Sequence, residues 1–245
     1  IANHPIDIDL IKNVYRHWEV FFNSNIKNDY NYDIEKQDGY FPIYSEHAKN
    51  HPTDDFKEFY HFYPWGRHVK EIGPDTLKLY DELFNLASEL LGWIELNSPN
   101  EITRKFSMPL NKMIKNSDRT LFRIIHYPPL TSNVKKDAVR AAAHEDINLI
   151  TILPSSTQPG LQAQDNKGIW YDIDCDLGNI VVNVGDMLQM CSKGYYPSTT
   201  HRVVNPKGEE MNKSRYSIPL FLHPNDDVIL SNTYTAQSYL DERIN

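Results

Sequence analysis

The sequence predicts a mainly β protein, a sandwich or barrel with helices packed around it, and three observations carry that reading. Residues from about 120 to 224 fall into short runs rich in β-branched and aromatic side chains, separated by Pro, Gly, Asn and Asp. The long stretches with helical apolar spacing lie before and after this block. The composition is that of an ordinary globular chain, with 245 residues, 40% hydrophobic and 24% charged, enough to bury a core. Sandwiches and barrels of this length fold as single domains. Residues 1–245 are therefore read as one domain: a mostly helical part (1–119), a β core (120–224) and a helical tail (225–245).

Each element follows from its spacing. Asp7 is placed to cap a helix in which Ile11, Val14, Tyr15, Trp18, Phe21 and Phe22 share a face. A second helix runs from about Asp75, with Leu79, Tyr80, Leu83, Phe84, Ala87, Leu90 and Leu91 on one side and Gly92 as its expected stop. Residues 37–74 are rich in Gly, Pro, Tyr and His without a clean period and read as a long, partly irregular segment. Strand-like runs follow at Leu121–Tyr127, Ile147–Leu153, Gly168–Ile173, Ile180–Val184 and Tyr216–Leu222. A last helix spans Thr235–Arg243, where Ala236, Tyr239 and Leu240 share a face.

Charge and cysteine content exclude several classes. A formal charge of -8, with no basic run longer than Lys135-Lys136, repels a phosphate backbone and argues against nucleic acid. No stretch of about 18 apolar residues is present to span a bilayer as a helix, so no membrane role is expected. The two cysteines, Cys175 and Cys191, form no CxxC pair, which argues against a disulfide framework or thiolate zinc site and fits a reducing, cytoplasmic compartment. The chain opens at Ile1 with no charged-then-apolar leader, and a piece upstream of it is expected.

The chemistry concentrates in spaced pairs. His144 and Asp146 are two apart in a strand-like segment and so project to one face. Alone this means little, since 10 His and 20 Asp in 245 residues give about one His-x-Asp by chance. His201 opens another apolar run, and two imidazoles with one carboxylate on a β scaffold match the facial ligand set of non-haem Fe(II) oxygenases, with positions left open on the ion. Arg215 and Ser217 form a further i, i+2 pair, a two-pronged guanidinium beside a hydroxyl, apt for gripping a carboxylate.

These residues, in the blocks HEDINLITIL, PGLQAQ, GIWYDI, NIVVNVGDMLQM, YYPSTTHRVVNP and RYSIPLFLHP, resemble the isopenicillin N synthase-like branch of the Fe(II)/2-oxoglutarate-dependent dioxygenases. The resemblance implies a double-stranded β-helix, or jelly roll, with His144, Asp146 and His201 as iron ligands and Arg215 and Ser217 binding the acidic co-substrate 2-oxoglutarate. Tyr127, ahead of Pro128-Pro129, matches a family tyrosine that helps hold the same carboxylate. It further implies O2 consumption, release of succinate and CO2, and oxidation, most often hydroxylation, of a small organic substrate, with desaturation or ring closure as variants. The segment GYFPIYSEHAKN, DDFKEFYHF after it and the ending TAQSYLDERIN extend the likeness. Family members carry a strand and helix ahead of the dipeptide seen here as Asn3-His4.

Alternatives stay open at this stage. The namesake oxidase uses no 2-oxoglutarate, and there the Arg and Ser pair binds the substrate's own carboxylate. A jelly-roll binding module with a vestigial metal site is a second option. A zinc hydrolase is a third, disfavoured because no HExxH occurs and Arg215 and Ser217 would be unexplained. No motif specifies the substrate or an oligomeric state. The substrate pocket is expected at the barrel mouth, with residues 37–74 and the terminal helix as walls.

Other polar residues read as structural. His126 should point away from Tyr127 and pack, Glu145 should face away from its two neighbours, and Arg202 should pack or pair outside the site. Asn183, Gly185 and Asp186 read as a strand-ending turn, and the polar loop from Val204 to Ser214 as a surface connection. His4, His17, His47, His51, His61, His68 and His223 read as structural or surface residues.

Overall fold

The computed structural model describes residues 2–46, 55–70, 72–130, 134 and 138–244. His47, His51 and the Lys135-Lys136 pair lie outside the described residues. Two antiparallel sheets dominate. The larger runs in the order β1 (Ala2–Asn3), β9 (Asn179–Val184), β6 (Ile150–Pro154), β12 (Leu220–Leu222), β4 (Leu121–Tyr127), β3 (Glu58–Phe62) and β2 (Gly39–Phe41), with β11 (Arg215–Ser217) also on β4. The smaller runs β5 (Ala141–His144), β10 (His201–Val203), β7 (Leu161–Gln164) and β8 (Trp170–Asp172).

The helices cover one face of the larger sheet. Asp7 caps α1 (Ile8–Phe22) by accepting the Asp9 N–H, and the apolar face read from the sequence is buried. That face packs on α2 (Gly73–Leu96) and the sheet, with Trp18 donating to Thr76 Oγ1 at 2.9 Å. Each large apolar side chain buried there contributes about 1.5–3 kcal/mol. The expected stop at Gly92 is overrun by four residues: Asn97 closes α2 by donating to the Trp93 carbonyl, and one interior Gly costs about 1 kcal/mol, which the packing of Leu91 and Ile94 offsets. Short helices α3 (Asn100–Thr103), α4 (Leu110–Met113) and α5 (Asp186–Cys191) follow, and α6 (Ala236–Ile244) ends the described chain. Thr235 and Ser238 hydrogen-bond each other's backbone N–H groups at the start of α6.

Strand parity separates core from cavity. In β4, Phe122 and Ile124 face the helices, whereas Ile125 and Tyr127 face the smaller sheet. The same division puts Ile150 and Ile152 of β6, and Leu220 and Leu222 of β12, in the core, with Thr151, Leu153 and Phe221 toward the cavity. Pro219 splits the run read as one strand into β11 and β12 without a change of register: Ser217 pairs with Ile125 and Leu220 with Phe122. Residues 37–74 are less irregular than their composition suggests. There β2 and β3 extend the larger sheet, β3 pairing with β4 over five positions. Between Val204 and Ser214 lies a 3-10 turn, Gly208–Asn212.

Candidate functional site

The space between the two sheets is a cavity of about 210 Å³. Direct pairing of His201 with His144 across the β10–β5 ladder brings their rings to 4.4 Å between centres. Asp146 follows β5, and Oδ1 of its buried carboxylate lies 4.0 Å from His144 Nε2 and 3.7 Å from His201 Nε2. One potential ligand atom from each of the three converges within 4.8 Å, the grouping expected from the sequence.

The surroundings orient all three. His144 Nδ1 donates to the Ala142 carbonyl at 2.8 Å and His201 Nδ1 to the Thr199 carbonyl at 2.9 Å. A carbonyl can only accept, so each ring carries its proton on Nδ1 and keeps the Nε2 lone pair for the centre of the cluster. Burial, reinforced by His201, pushes the His144 imidazole down to about 4, so it stays neutral as a metal ligand must. Burial alone would raise the Asp146 carboxyl, but His201, His144 and hydrogen bonds from Thr151 and Asn183 hold it below the usual range. These bonds, 2.6 Å from Thr151 Oγ1 and 2.8 Å from Asn183 Nδ2, both end on Oδ2. Oδ1 is left to face the imidazoles. This donor set, two neutral imidazoles and a fixed carboxylate, suits a divalent first-row metal.

Thr151 was not singled out from the sequence, and Asn183 was read there only as part of a strand-ending turn. Each is a polar position inside an apolar strand, in register with the other across β6 and β9, and that interruption of an inward-facing apolar row was the available signal. The NVGD turn, read as merely structural, also supports the site. The Asp186 N–H donates to the Asp146 carbonyl at 2.8 Å, and a Cβ on Gly185 would collide with the Asn148 carbonyl oxygen.

The far end of the cavity is cationic. Arg215 is 1% exposed; its Nε donates to the Gln158 carbonyl at 3.0 Å and one Nη to Ser156 Oγ at 2.6 Å. Its other Nη is buried with no partner. Tyr127 lies directly opposite Arg215 in the β4–β11 ladder, its ring centre 5.1 Å from the guanidinium carbon, and Ser217 Oγ accepts from Ser156 at 3.4 Å. Burial lowers the Arg215 pKa. An N–H without an acceptor, beside two hydroxyls and with no acidic side chain paired to it among the described residues, is chemically able to bind a carboxylate.

The other polar residues singled out in the sequence sort by strand face. His126 points away from the cavity, bonded to Glu58 at 2.7 Å and stacked on Tyr216. Glu145 is exposed and accepts from Thr200, while Arg202 bonds Gln162 and lies 4.0 Å over the Trp170 ring. Among the described residues, the lining side chains fall between Ile125 and Phe221. Phe41 and Phe59 of the 37–74 segment pack behind Ile125 and Tyr127, and Tyr239 of α6 is engaged with Asp186 at 3.0 Å.

The chain is similar to known proteins in both sequence and fold. The sequence pattern of the 2OG-Fe(II) oxygenase superfamily matches residues 119–224. A curated relative, the 2-oxoglutarate-Fe(II) type oxidoreductase hxnY of Emericella nidulans, is 31% identical over 161 residues, covering 65% of this chain. That match covers 43% of hxnY, and this chain spans less than half the length of the first curated relatives it matches. Among solved structures, a full-length Neurospora crassa protein in complex with alpha-KG and thymine is 26% identical, with a TM-score of 0.73 over 97% of this chain and 80% of that one. A candidate oxygenase from Shewanella oneidensis is 52% identical, with a TM-score of 0.89 over 99% of this chain and 88% of that one. By this kinship in sequence and fold, the chain belongs to the 2OG-Fe(II) oxygenase superfamily.

Proposed function

We propose that the protein is an oxygenase that uses Fe(II), O2 and 2-oxoglutarate to oxidise a small organic molecule, in the simplest case by hydroxylation, with release of succinate and CO2. One observation carries this reading. A single cavity joins a two-histidine, one-carboxylate cluster to a buried guanidinium that has an N–H to spare and no acidic partner among the described residues. His144, Asp146 and His201 would hold the metal, and Arg215, Ser217 and Tyr127 the distal carboxylate of 2-oxoglutarate. Ferrous iron, when bound, supplies the O2 chemistry that no side chain provides.

The chain's own residues do the rest. Backbone carbonyls fix both imidazoles in the tautomer that offers Nε2, and Thr151 and Asn183 hold Asp146 so that its charge faces the metal position. Arg215 sets the direction of the co-substrate, because a planar guanidinium bonds a carboxylate along fixed lines. Leu153, Leu161, Ile173 and Val203 wall the cavity with apolar surface and limit water. The same reading takes residues 1–245 as one unit, supported by the β3–β4 pairing between its N-terminal part and its β core, and places it in the cytoplasm with a small molecule as its partner. No described helix is long and apolar enough to cross a membrane.

The test is anaerobic. Fe(II) is added to metal-free protein, 2-oxoglutarate is titrated in, and the visible charge-transfer band of a 2-oxo acid chelated to ferrous iron is followed. The band should form and should be lost in Arg215→Leu. No band, with Fe(II) binding confirmed separately, would overturn the 2-oxoglutarate assignment in favour of an oxidase that binds its substrate's carboxylate at Arg215.

A further inference from the structure

A second buried arginine, Arg140, has no acidic side chain paired with it among the described residues. Arg140 is 1% exposed, its Nε has no hydrogen-bond partner, and one Nη donates to the Lys213 carbonyl at 2.9 Å. Its position ties it to the cavity. It immediately precedes β5, the carbonyl it holds lies two residues before Arg215, and Ala141 beside it packs with Tyr127 and Val203. Dehydration, followed by the nearby Arg215 charge, lowers the Arg140 pKa to about 10, with Tyr127 opposing.

A buried cation without an anion is costly, and two that repel each other cost more. An anion bound in the cavity would offset both charges. We propose that Arg140 is a positioning residue that acts through Arg215 and Tyr127, supplying the second positive charge by which the protein prefers a 2-oxo acid with an ionised distal carboxylate over one without it. This inference rests on the 2-oxoglutarate reading above. It assigns Arg140 no direct contact with the co-substrate, because Arg140 does not line the cavity.

The experiment is an anaerobic calorimetric titration of the Fe(II)-loaded full chain with 2-oxoglutarate and, separately, 2-oxobutyrate, which has no distal carboxylate. In Arg140→Met the preference for 2-oxoglutarate should fall by about tenfold, with 2-oxobutyrate affinity held within about twofold. Arg140→Gln, neutral but still able to donate to the Lys213 carbonyl, should lose the same preference, and Arg140→Lys, which restores the charge, should recover most of it. Removing an unpaired cation should also leave the Tm without oxo acid unchanged or higher. An unaltered preference in Met and Gln, or a Lys variant as poor as Gln, overturns the proposal, and the Gln and Lys pair decides it should Met fail to fold. Failure of the parent reading looks different: the wild type would not bind 2-oxoglutarate, or Arg215→Leu would bind it normally.

Discussion

Asn183 Nδ2 and Thr151 Oγ1 meet on the same oxygen of Asp146, at 2.8 and 2.6 Å, so that one carboxylate oxygen is saturated and the other faces the two imidazoles. Removing either donor should free the carboxylate to rotate. Asn183→Ala and Thr151→Val are each expected to weaken Fe(II) or Mn(II) binding by about 10- to 100-fold in a chelator competition. His201→Ala should abolish iron-dependent turnover outright. Full metal affinity in both donor variants would show that Asp146 needs no such support.

Tyr127 offers a milder probe. Tyr127→Phe keeps the ring beside Arg215 and removes only the hydroxyl. The Kd for 2-oxoglutarate should rise about fivefold, the equivalent of one neutral hydrogen bond, while metal affinity stays constant. An unchanged Kd would assign the tyrosine to packing alone.

The pH dependence of stability has a definite sign. Dehydration, then the charge of Arg123 whose Nε lies 3.1 Å from His61 Nε2, holds the His61 ring well below its ordinary value. Below about pH 6.5 the unfolded chain takes up a proton that the folded chain refuses. This contribution is therefore full above about 6.5 and is lost as the pH falls toward the folded value. His223, pushed down to about 4 by burial, acts in the same direction. His61→Gln retains an acceptor for Arg123 and should shrink the Tm difference between pH 7.5 and 5, and adding His223→Gln should shrink it further. The same Tm difference in wild type and double variant would refute the assignment.

Gly185→Ala tests the turn beneath the site. The added Cβ has nowhere to go but into the Asn148 backbone. About 2 kcal/mol of overpacking strain should lower the Tm by roughly 4–8 °C. Because the next residue, Asp186, donates to the Asp146 carbonyl, metal affinity should drop in the protein that still folds.

What could be read in advance follows the physics of each element. Leu121–Tyr127 appears in the structure with the limits expected, since a seven-residue run of five bulky apolar or aromatic residues, broken only by Arg123 and His126 and bounded by turn signals, has few other readings. The strands β5, β7 and β10, three or four residues each, are too short to show a period. In β3 both faces are aromatic, Tyr60 and Phe62 toward the helices and Phe59 toward the cavity side, so the alternation that marks a half-buried strand is hidden. Among candidate site residues, Arg215 with Ser217 was legible because both lie on one face of β11, and His144 with Asp146 because they are two apart in sequence, although only His144 lies in β5 and Asp146 falls just beyond its end. Asn183 reaches Asp146 from 37 residues away, and Arg140 meets Lys213 from 73, through strand pairings that no local pattern records.

The distribution of the cluster over the chain has a practical consequence. Its two imidazoles sit on facing strands of one sheet, while the carboxylate is held by donors from the other, so an unfolded chain contains nothing resembling it. Under the proposed reading, iron occupancy is then linked to the folding equilibrium: bound ion draws population toward the native state, and any lesion that loosens the contact between the sheets lowers metal content even when it lies far from the ligands. Iron per mole of purified chain thus doubles as an assay of structural integrity, and loading measured in a variant must be divided by its native fraction before a ligand is credited or blamed.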